Sequence, residues 1–408
     1  MAAATLTKYE FTAKDKSGKL VEGKVDAENE SVLREKLLGM GAMPLDIRVA
    51  NAGMQKEIKL GLPKRIKLKD LAIFSRQFAT MLSAGLPLIR CLSILAEQTE
   101  NEELARVLKI VKTDIEEGNP LSKALERQPK AFPPLMVNMI KAGEVGGFLD
   151  MTMLQIAEAF EADVRLRGKI KAALTYPVVI FILAMLMCAG MLIFIVPVFE
   201  KMFSSLGGEL PLPTKILVMM SKGLKMGLPF LVIGSIGFVV WWRKNAHKPG
   251  IRNVVDPLKL RLPVFGNLFQ KVAIARFSRN FGTLLRSGVP LLQALDIVAD
   301  TTGSVVISRA LRDVQESVKQ GESIHKPLAE HDVFPPMVVQ MVAVGEDTGA
   351  IDEMLGKIAE FYDEEVESTT EQLTALIEPL MIAFLGGVVG SMIVALYMPI
   401  FKVFDLIS

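Results

Sequence analysis

The residues able to do chemistry are few and poorly placed for it. Three histidines, His247, His325 and His331, lie without the spacing of a metal site, and each reads as a solvated side chain near a loop. Cys91 sits in a polar stretch and Cys188 in an apolar run, so they are not expected to pair, and a reducing cytoplasmic face is compatible with them. The phosphate-cradling pattern Gly-x-x-x-x-Gly-Lys-Ser/Thr is absent. Its nearest approaches, the Gly-Lys pairs at Gly18, Gly168 and Gly356, are followed by Leu or Ile rather than a hydroxyl. No Ser/His/Asp set and no carboxylate pair has supporting context. The sequence therefore assigns no catalytic residue, cofactor or metal, and a partner must hold the nucleotide if the chain takes part in ATP-driven work. With 47 basic and 45 acidic residues the net charge is only +2, which leaves no bulk field for nucleic acid and makes any functional charge local.

What does recur is larger than a motif. Residues 74–88 read FSRQFATMLSAGLPL and residues 277–291 read FSRNFGTLLRSGVPL, an offset of 203. Phe74, Ser75, Arg76, Gly85 and Pro87 thus return as Phe277, Ser278, Arg279, Gly288 and Pro290. After a one-residue slip, Phe132-Pro133-Pro134 is answered by Phe334-Pro335-Pro336, and MIKAGEVGGFLD (139–150) by MVAVGEDTGAID (341–352). Pro177 and Pro197 are answered by Pro379 and Pro399. A period near 200 residues is far beyond the ~20–50 residues of solenoid repeats. It marks a duplicated domain, each copy ending in a membrane helix.

Each copy is expected to be helical. Leu71, Phe74, Phe78, Met81 and Leu82 share one face, and Gly85-Leu86-Pro87 ends that helix and opens the next. Thr99-x-x-Glu102 has the form of a capping box ahead of Leu104, Val107, Leu108, Val111 and Ile115, and Asn119-Pro120 signals a further start. Phe132-Pro133-Pro134 opens a short helix that Gly143 is expected to stop, with a turn over 144–150 before a long sixth helix. Six helices on short connections favour an antiparallel bundle. Ahead of them, residues 8–49 read as a ββαβ domain. Tyr9 and Phe11 alternate with polar residues, a turn falls at Lys16-Ser17-Gly18-Lys19, and Val32, Leu33, Leu37 and Leu38 form a helical face.

Half of the chain is hydrophobic and mean hydropathy is +0.36, concentrated in a few runs. Residues 172–199 carry no charge and, at ~1.5 Å per residue, exceed the ~30 Å hydrocarbon core. Further spans are expected at 216–242, closed by Trp241-Trp242 at an interface, and at 375–401. Basic residues crowd the start of the first span (RLRGKIK, 165–171) and the end of the second (RKNAHKPGIR, 243–252), whereas the loop 200–215 carries only Lys201 and Lys215. The positive-inside rule then places both flanks in the cytoplasm and the loop outside. The acidic inner flank of the third span (YDEEVESTTEQ, 362–372) does not choose a direction by itself. The opening MAAATLTKYEF lacks the basic-then-apolar form of a signal peptide, so the segment ahead of the first span is expected to stay cytoplasmic.

Four features carry a functional reading beside a plainer one. Gly143-Glu144 and Gly345-Glu346 fall at the same place in both copies, as a glycine stop with an acid opening the next helix or as a duplicated docking turn for a partner. Gly386-x-x-x-Gly390 admits close helix contact, within the chain or between copies. Glu378-Pro379, where the first copy has Pro177, puts a carboxylate at the edge of the third apolar run, reaching for headgroups or serving function. Finally, Arg165 and Lys169 at the base of the first span correspond to Glu367 and Glu371 at the base of the third. These are solvated faces, or the two sides of a seam along which a basic and an acidic stalk pair.

FSRQFATMLSAGLPL with its second copy, the two Gly-Glu turns, LTYP (174–177), IEP (377–379) and LYMPIF (396–401) together resemble the F-domain platform proteins of type II secretion systems and type IV pilus machines, the PilC/GspF family. The resemblance covers essentially the whole chain. It implies a mainly α, polytopic protein of the bacterial inner membrane, with its N-terminus and two homologous six-helix bundles in the cytoplasm. The expected organisation is a small α+β domain at 1–50, a basic linker at 51–69, and bundles at 70–171 and 272–374. Spans at 172–199, 216–242 and 375–401 are joined by an extracytoplasmic loop at 200–215 and a cytoplasmic linker at 243–271, with an extracytoplasmic tail at 402–408. The resemblance further implies a non-enzymatic protein that couples a cytoplasmic hexameric assembly or retraction ATPase to insertion or removal of pilin or pseudopilin. It would work beside other inner-membrane assembly proteins, as a homo-oligomer in the lipid bilayer. The ending ALYMPIFKVFDLIS looks pilus-like, and a secretion pseudopilus is the alternative. The rival class is a channel or transporter, against which the first two spans lack charges in their central apolar runs.

Overall fold

The structure is a computed structural model that describes residues 7–14, 20–27, 29–39, 41–49, 65–205, 210–246, 248–263 and 265–407. The expected turn at Gly18, the linker over 51–64, Gly207-Gly208 and His247 lie outside the described residues. The chain divides into two compact units between Lys64 and Arg65.

In the first unit, β1 (Thr7–Lys14), β2 (Leu20–Ala27), α1 (Glu30–Gly39) and β3 (Met43–Val49) follow in the ββαβ order. They form an antiparallel sheet ordered β2-β1-β3. Tyr9 and Ala27 meet Leu33 and Leu37 in a small core. Val32 and Leu38, expected on the same helical face, are exposed, because a ten-residue helix on a three-stranded sheet buries only its i, i+4 stripe. Gly23 stands opposite Phe11, whose ring fills the space a Cβ would need at 2.8 Å.

The second unit holds both copies of the repeat. The first is α2 (Leu68–Ser83), α3 (Leu88–Gln98), α4 (Glu102–Glu116), α5 (Leu121–Glu126), α6 (Pro134–Gly146) and α7 (Leu149–Gly190). α7 continues through one π-helical turn, Met191–Ile195, into α8 (Val196–Ser205). Next come α9 (Leu212–Asn245) and α10 (Pro249–Arg261). The second copy is α11 (Phe265–Arg286), α12 (Leu291–Thr301), α13 (Val305–Lys319), α14 (His325–Ala329), α15 (Pro336–Thr348) and α16 (Ile351–Ile407). Three helices, Leu149–Ser205, Leu212–Asn245 and Ile351–Pro399, are long and apolar enough to cross a membrane. The stretch 243–271 is more than a linker, since it forms α10 and the first turn and more of α11. Asp256 on α10 is buried and accepts from the Val305 amide at 3.2 Å, capping α13.

The cores of the two bundles are one continuous cluster. Phe74 packs on Phe78 and Phe132 in one copy, and Phe277 on Phe281 and Phe334 in the other, with ring centroids 5.3–6.1 Å apart. Ser75 and Ser278 are buried beside these rings with no hydrogen-bond partner for either hydroxyl, so the position selects a small side chain. The cap of α4 is Asn101 rather than Thr99. Its Oδ1 accepts from the Glu103 and Leu104 amides at 3.1 and 3.2 Å, and its Nδ2 donates to Asp70 at 2.7 Å. Thr99 instead closes α3, donating to the Leu95 carbonyl at 2.6 Å.

Gly143 does not stop its helix. α6 ends at Gly147 in the left-handed conformation (φ 75°), as α15 ends at Gly349 (φ 72°). Gly143 and Gly345 serve a close approach instead. A Cβ on Gly143 would lie 2.4 Å from Thr152 Oγ1, and one on Gly345 would lie 2.8 Å from Ile351 Cα. These glycines let α6 and α15 fold back against the first turns of α7 and α16. Gly143→Ala overpacks that hairpin and is expected to cost about 1–3 kcal/mol, read as a lower melting temperature of the detergent-solubilised protein. Thr152→Ala in the same chain removes Oγ1 and Cγ2 and should recover part of the loss. A G143A chain that melts with the wild type would show that the hairpin has room to spare.

Candidate functional site

The residues at the bases of α7 and α16 decide how firmly each bundle is fixed to its apolar helix. Arg76 on α2 forks onto Glu161 of α7, with Nε–Oε1 and Nη2–Oε2 both at 2.8 Å. This bidentate bond holds the Glu161 carboxyl below its ordinary range and Arg76 above its own. In the second copy Arg279 makes the equivalent pair with Asp363. The repeated arginine is thus a strut from the opening helix of each bundle to its stalk. The other signature residues sit around it: Phe74 and Phe277 in the core, Gly85 and Gly288 at the reversals (φ 81° and 73°), and Pro87 and Pro290 capping α3 and α12.

Between the copies, Asp163 of α7 forms an ion pair with Arg276 of α11 at 3.0 Å and accepts from Arg167 at 2.9 Å. Burial pushes the Arg276 guanidinium below its usual range, with Asp163 opposing the shift. No sequence signal marked this pair, because the counterpart of Arg276 in the first copy is Ile73. Lys169 bonds Glu367, while Lys271 holds Glu365 at 2.6 Å and Thr369 at 2.8 Å. Arg165 pairs with Glu161 of its own helix at 3.8 Å and not with Glu367, and Glu371 is exposed. Lys169 thus meets the acid one turn before its own counterpart, Glu371. A cavity of about 320 Å³ opens beside this seam, between Ala159 and Arg165 of α7 and Thr283, Arg286 and Glu360 of the second bundle.

The two Gly-Glu acids face inward. Glu144 accepts from the Leu121 and Ser122 amides at 2.5 and 3.0 Å, the first amides of α5. Glu346 accepts from the Ile324 and His325 amides at 2.9 and 3.4 Å and bonds His325 Nδ1 at 2.8 Å. Each acid caps the short helix that precedes its own, satisfying amides that a helix start leaves open. A docking role for these turns therefore loses its carboxylates. His325 is engaged here, and His331 lies 3.6 Å from Asp313, so neither is the solvated side chain the sequence suggests.

Within the apolar helices, Pro177 and Pro379 lie inside α7 and α16, and Glu378 is exposed. Nothing lies within 4 Å of a Cβ built on Gly386 or Gly390, so no described residue of this chain uses that small face. The bonds that sequence reasoning missed come from α9. Pro399 has no N–H for the carbonyl of Ala395 one turn earlier, and Thr214 Oγ1 of α9 donates to that carbonyl. In the first copy the π turn sends the Val196 amide to Met191. The next residue, Pro197, has no N–H, and the Leu192 carbonyl is left over. Ser221 Oγ of α9 donates to it at 2.5 Å. Thr214 and Ser221 are both buried. The orphaned carbonyls were calculable from the two prolines, whereas the donors follow only from the fold.

Among the described residues no group of three or more His, Cys, Asp or Glu side chains could hold a metal ion. Cys91 and Cys188 are free and buried, and burial pushes the Cys91 thiol up. The arrangement defines a polytopic membrane protein in which a duplicated helical bundle is strutted, twice, to its own membrane-length helix. The chain belongs to the type II secretion system protein F family, whose model matches residues 74–197 and 277–399, with the family's N-terminal domain at 1–48. It is 43% identical to the type IV pilus assembly protein PilC of Thermus thermophilus over 98% of this chain and 99% of that protein. It is 42% identical to the PilC of Myxococcus xanthus over 96% and 94%. The type II secretion system protein F of Xanthomonas campestris is 33% identical over 98% and 99%.

Two outcomes follow from this geometry. Thr214→Val and Ser221→Ala each leave a proline-orphaned carbonyl unpaired in apolar surroundings, at about 1–3 kcal/mol. Each should lower the melting temperature in detergent, and the double variant should lower it further; unchanged melting would remove the clamp. Because the folded pKa of Glu161 is depressed, its contribution is complete above the ordinary value of 4.5 and is lost as pH falls through the folded value. The melting temperature of wild type should therefore exceed that of Glu161→Gln at neutral pH, by an amount equivalent to at most ~1 kcal/mol for a partly exposed pair. The difference should vanish in acid, and a constant difference down the titration would contradict the assignment.

Proposed function

We propose that this chain is the inner-membrane platform of a type IV pilus machine, coupling a separate cytoplasmic assembly ATPase to the insertion or removal of pilin at the filament base. The observation that carries the reading is continuity. In each copy the helix that completes the bundle core is the same helix that enters the apolar segment, α7 through α8 and α16. A displacement of the bundle by a docked motor would pass along the helix axis with no loop between bundle and apolar segment, and α9, bonded to both, would carry it between the spans. Nucleotide hydrolysis belongs to the motor, since this sequence has no phosphate-cradling loop. The positive-inside pattern supports an N-terminal domain and both bundles in the cytoplasm. The pilus reading is favoured over a secretion pseudopilus by the relatives, since those near 42% identity are named for pilus assembly and the secretion proteins stand at 33% or below.

A Gly-Ser insertion after Gly168 tests the coupling. No neighbour crowds Gly168, yet two added residues rotate everything beyond them by about 200° and lengthen the rod by ~3 Å. The variant should reach the membrane at wild-type level and still co-purify with motor ATPase while producing no pili. Unaltered piliation would overturn the proposal, and solute flux through liposomes holding the purified chain would favour a channel instead.

A further inference from the structure

The two bundles meet through unlike faces. The first presents α6 and α7, the second α11 and α12 with the base of α16. Asn138 bonds Gln293 at 3.3 Å, Gln155 accepts from Ser287 at 2.5 Å, Asp163 holds Arg276 at 3.0 Å, and Lys169 holds Glu367. Among the described residues, no hydrogen bond or ion pair joins α2 or α3 to α15 or α16, as a two-fold contact would require. A head-to-tail contact leaves one face of each kind unused, and the burial pattern shows it. Ser287 is 1% exposed while its counterpart Ala84 is exposed, and Ala159 is 6% exposed while its counterpart Phe361 is 46% exposed.

We propose that a second copy of this chain occupies these faces, its α2–α3 edge seated on α15–α16, so that successive chains repeat the internal contact. Advancing the internal pairs by the repeat offset names the new ones, except that Asp163–Arg276 becomes Glu365, already held by Lys271, beside the exposed Ile73. Lys169–Glu367 becomes Glu371 of one chain with Arg165 of the next: both signs reverse and the attraction survives. Asn138–Gln293 becomes Gln340 with Arg90, an acceptor for a donor. Gln155–Ser287 becomes Lys357 beside Ala84, the C-cap of α2, where the helix dipole and open carbonyls favour a cation. Phe361 takes the position of Ala159, where the internal contact leaves its cavity of about 320 Å³. The Leu154 side chain that would meet it is exposed and apolar. The stalks enter the apolar segments side by side and in the same direction, as Lys169–Glu367 and the Phe181–Phe384 ring contact at 6.4 Å require. The operation relating the copies therefore keeps every chain upright in the bilayer, and its repetition stays head to tail.

The inference draws on the two-copy geometry alone and is read without reference to pili. Two differently tagged full-length chains, one carrying R165C and the other E371C, are co-expressed in membranes and treated with a short bismaleimide. Single-variant membranes account for the buried Cys91 and Cys188. A product carrying both tags is expected, and the double variant R165C/E371C should give a ladder of multimers beyond the dimer. R165C joining to itself, an R165C/E371C chain closing within itself without a mass shift, or E371C joining only to a different protein would each overturn the head-to-tail contact. The charge exchange checks it without cysteine. R165E or E371R alone should weaken association about fivefold per interface, and the two together should restore it. Loss by either variant without restoration by the pair would also sink the contact. K169C/E367C, which closes inside one chain, reports that the fold is intact in the same membranes.

Discussion

A helix in lipid has no water to repair a broken backbone bond, and this chain breaks its first and third spanning helices at equivalent prolines. The carbonyls freed by Pro197 and Pro399 are both taken by hydroxyls of α9, through Ser221 and Thr214. That requirement fixes α9 in register with both stalks at once. With Arg76–Glu161 and Arg279–Asp363 holding the other ends, α7 and α16 are rods secured at the bundle and again toward the far ends of their apolar segments. A rod secured twice transmits displacement, whereas one held at a single end would absorb it by tilting. The prolines thereby favour association of the spans, since a buried carbonyl left unpaired costs about 1–3 kcal/mol.

The same accounting explains the cytoplasmic side. Short helices such as α5 and α14 cannot stand on propensity, because nucleating a turn costs more than a few bonds return. Each is held by a carboxylate from a longer neighbour, Glu144 or Glu346, laid across its first amides. That carboxylate arrives there only because α6 and α15 fold tightly onto α7 and α16, and they do so only because Gly143 and Gly345 carry no Cβ. Glycine and glutamate are adjacent in the chain for one reason: the first sets the helix spacing that the second spans.

The duplication, the number of helices in each copy, the ββαβ domain and the three membrane-length helices were legible because each is a matter of periodicity, run length or self-similarity. Local capping was legible only in kind. Thr99 and Asn101 both suit a cap, and the side chain nearer the first turn won. The role of Gly143 was misread because a glycine that ends a helix and one that admits a neighbour look alike until the neighbour is placed; the actual stop, Gly147, lies four residues on. Long-range pairs were illegible. Arg276 with Asp163, Thr214 with Ala395 and Lys169 with Glu367 join residues more than a hundred positions apart, and no local pattern selects one partner over its neighbours.

The duplication also separates two kinds of residue within a single chain. Positions repeated unchanged, such as Phe74 and Phe277, Arg76 and Arg279, Glu144 and Glu346, Pro197 and Pro399, are those each copy needs to fold and to hold its rod. Several positions that differ lie on the seam: Ile73 against Arg276, Ala84 against Ser287, Ala159 against Phe361, and basic Arg165 and Lys169 against acidic Glu367 and Glu371. Two copies meeting by a two-fold axis would place each position in the same surroundings and give no physical cause for such differences. A head-to-tail meeting places them in different surroundings, one covered and one open, and the side chains differ where the surroundings do. The charge reversal along the stalks is the clearest case, because a basic rod and an acidic rod can stand side by side in lipid-adjacent, weakly screened ground where two basic rods would repel.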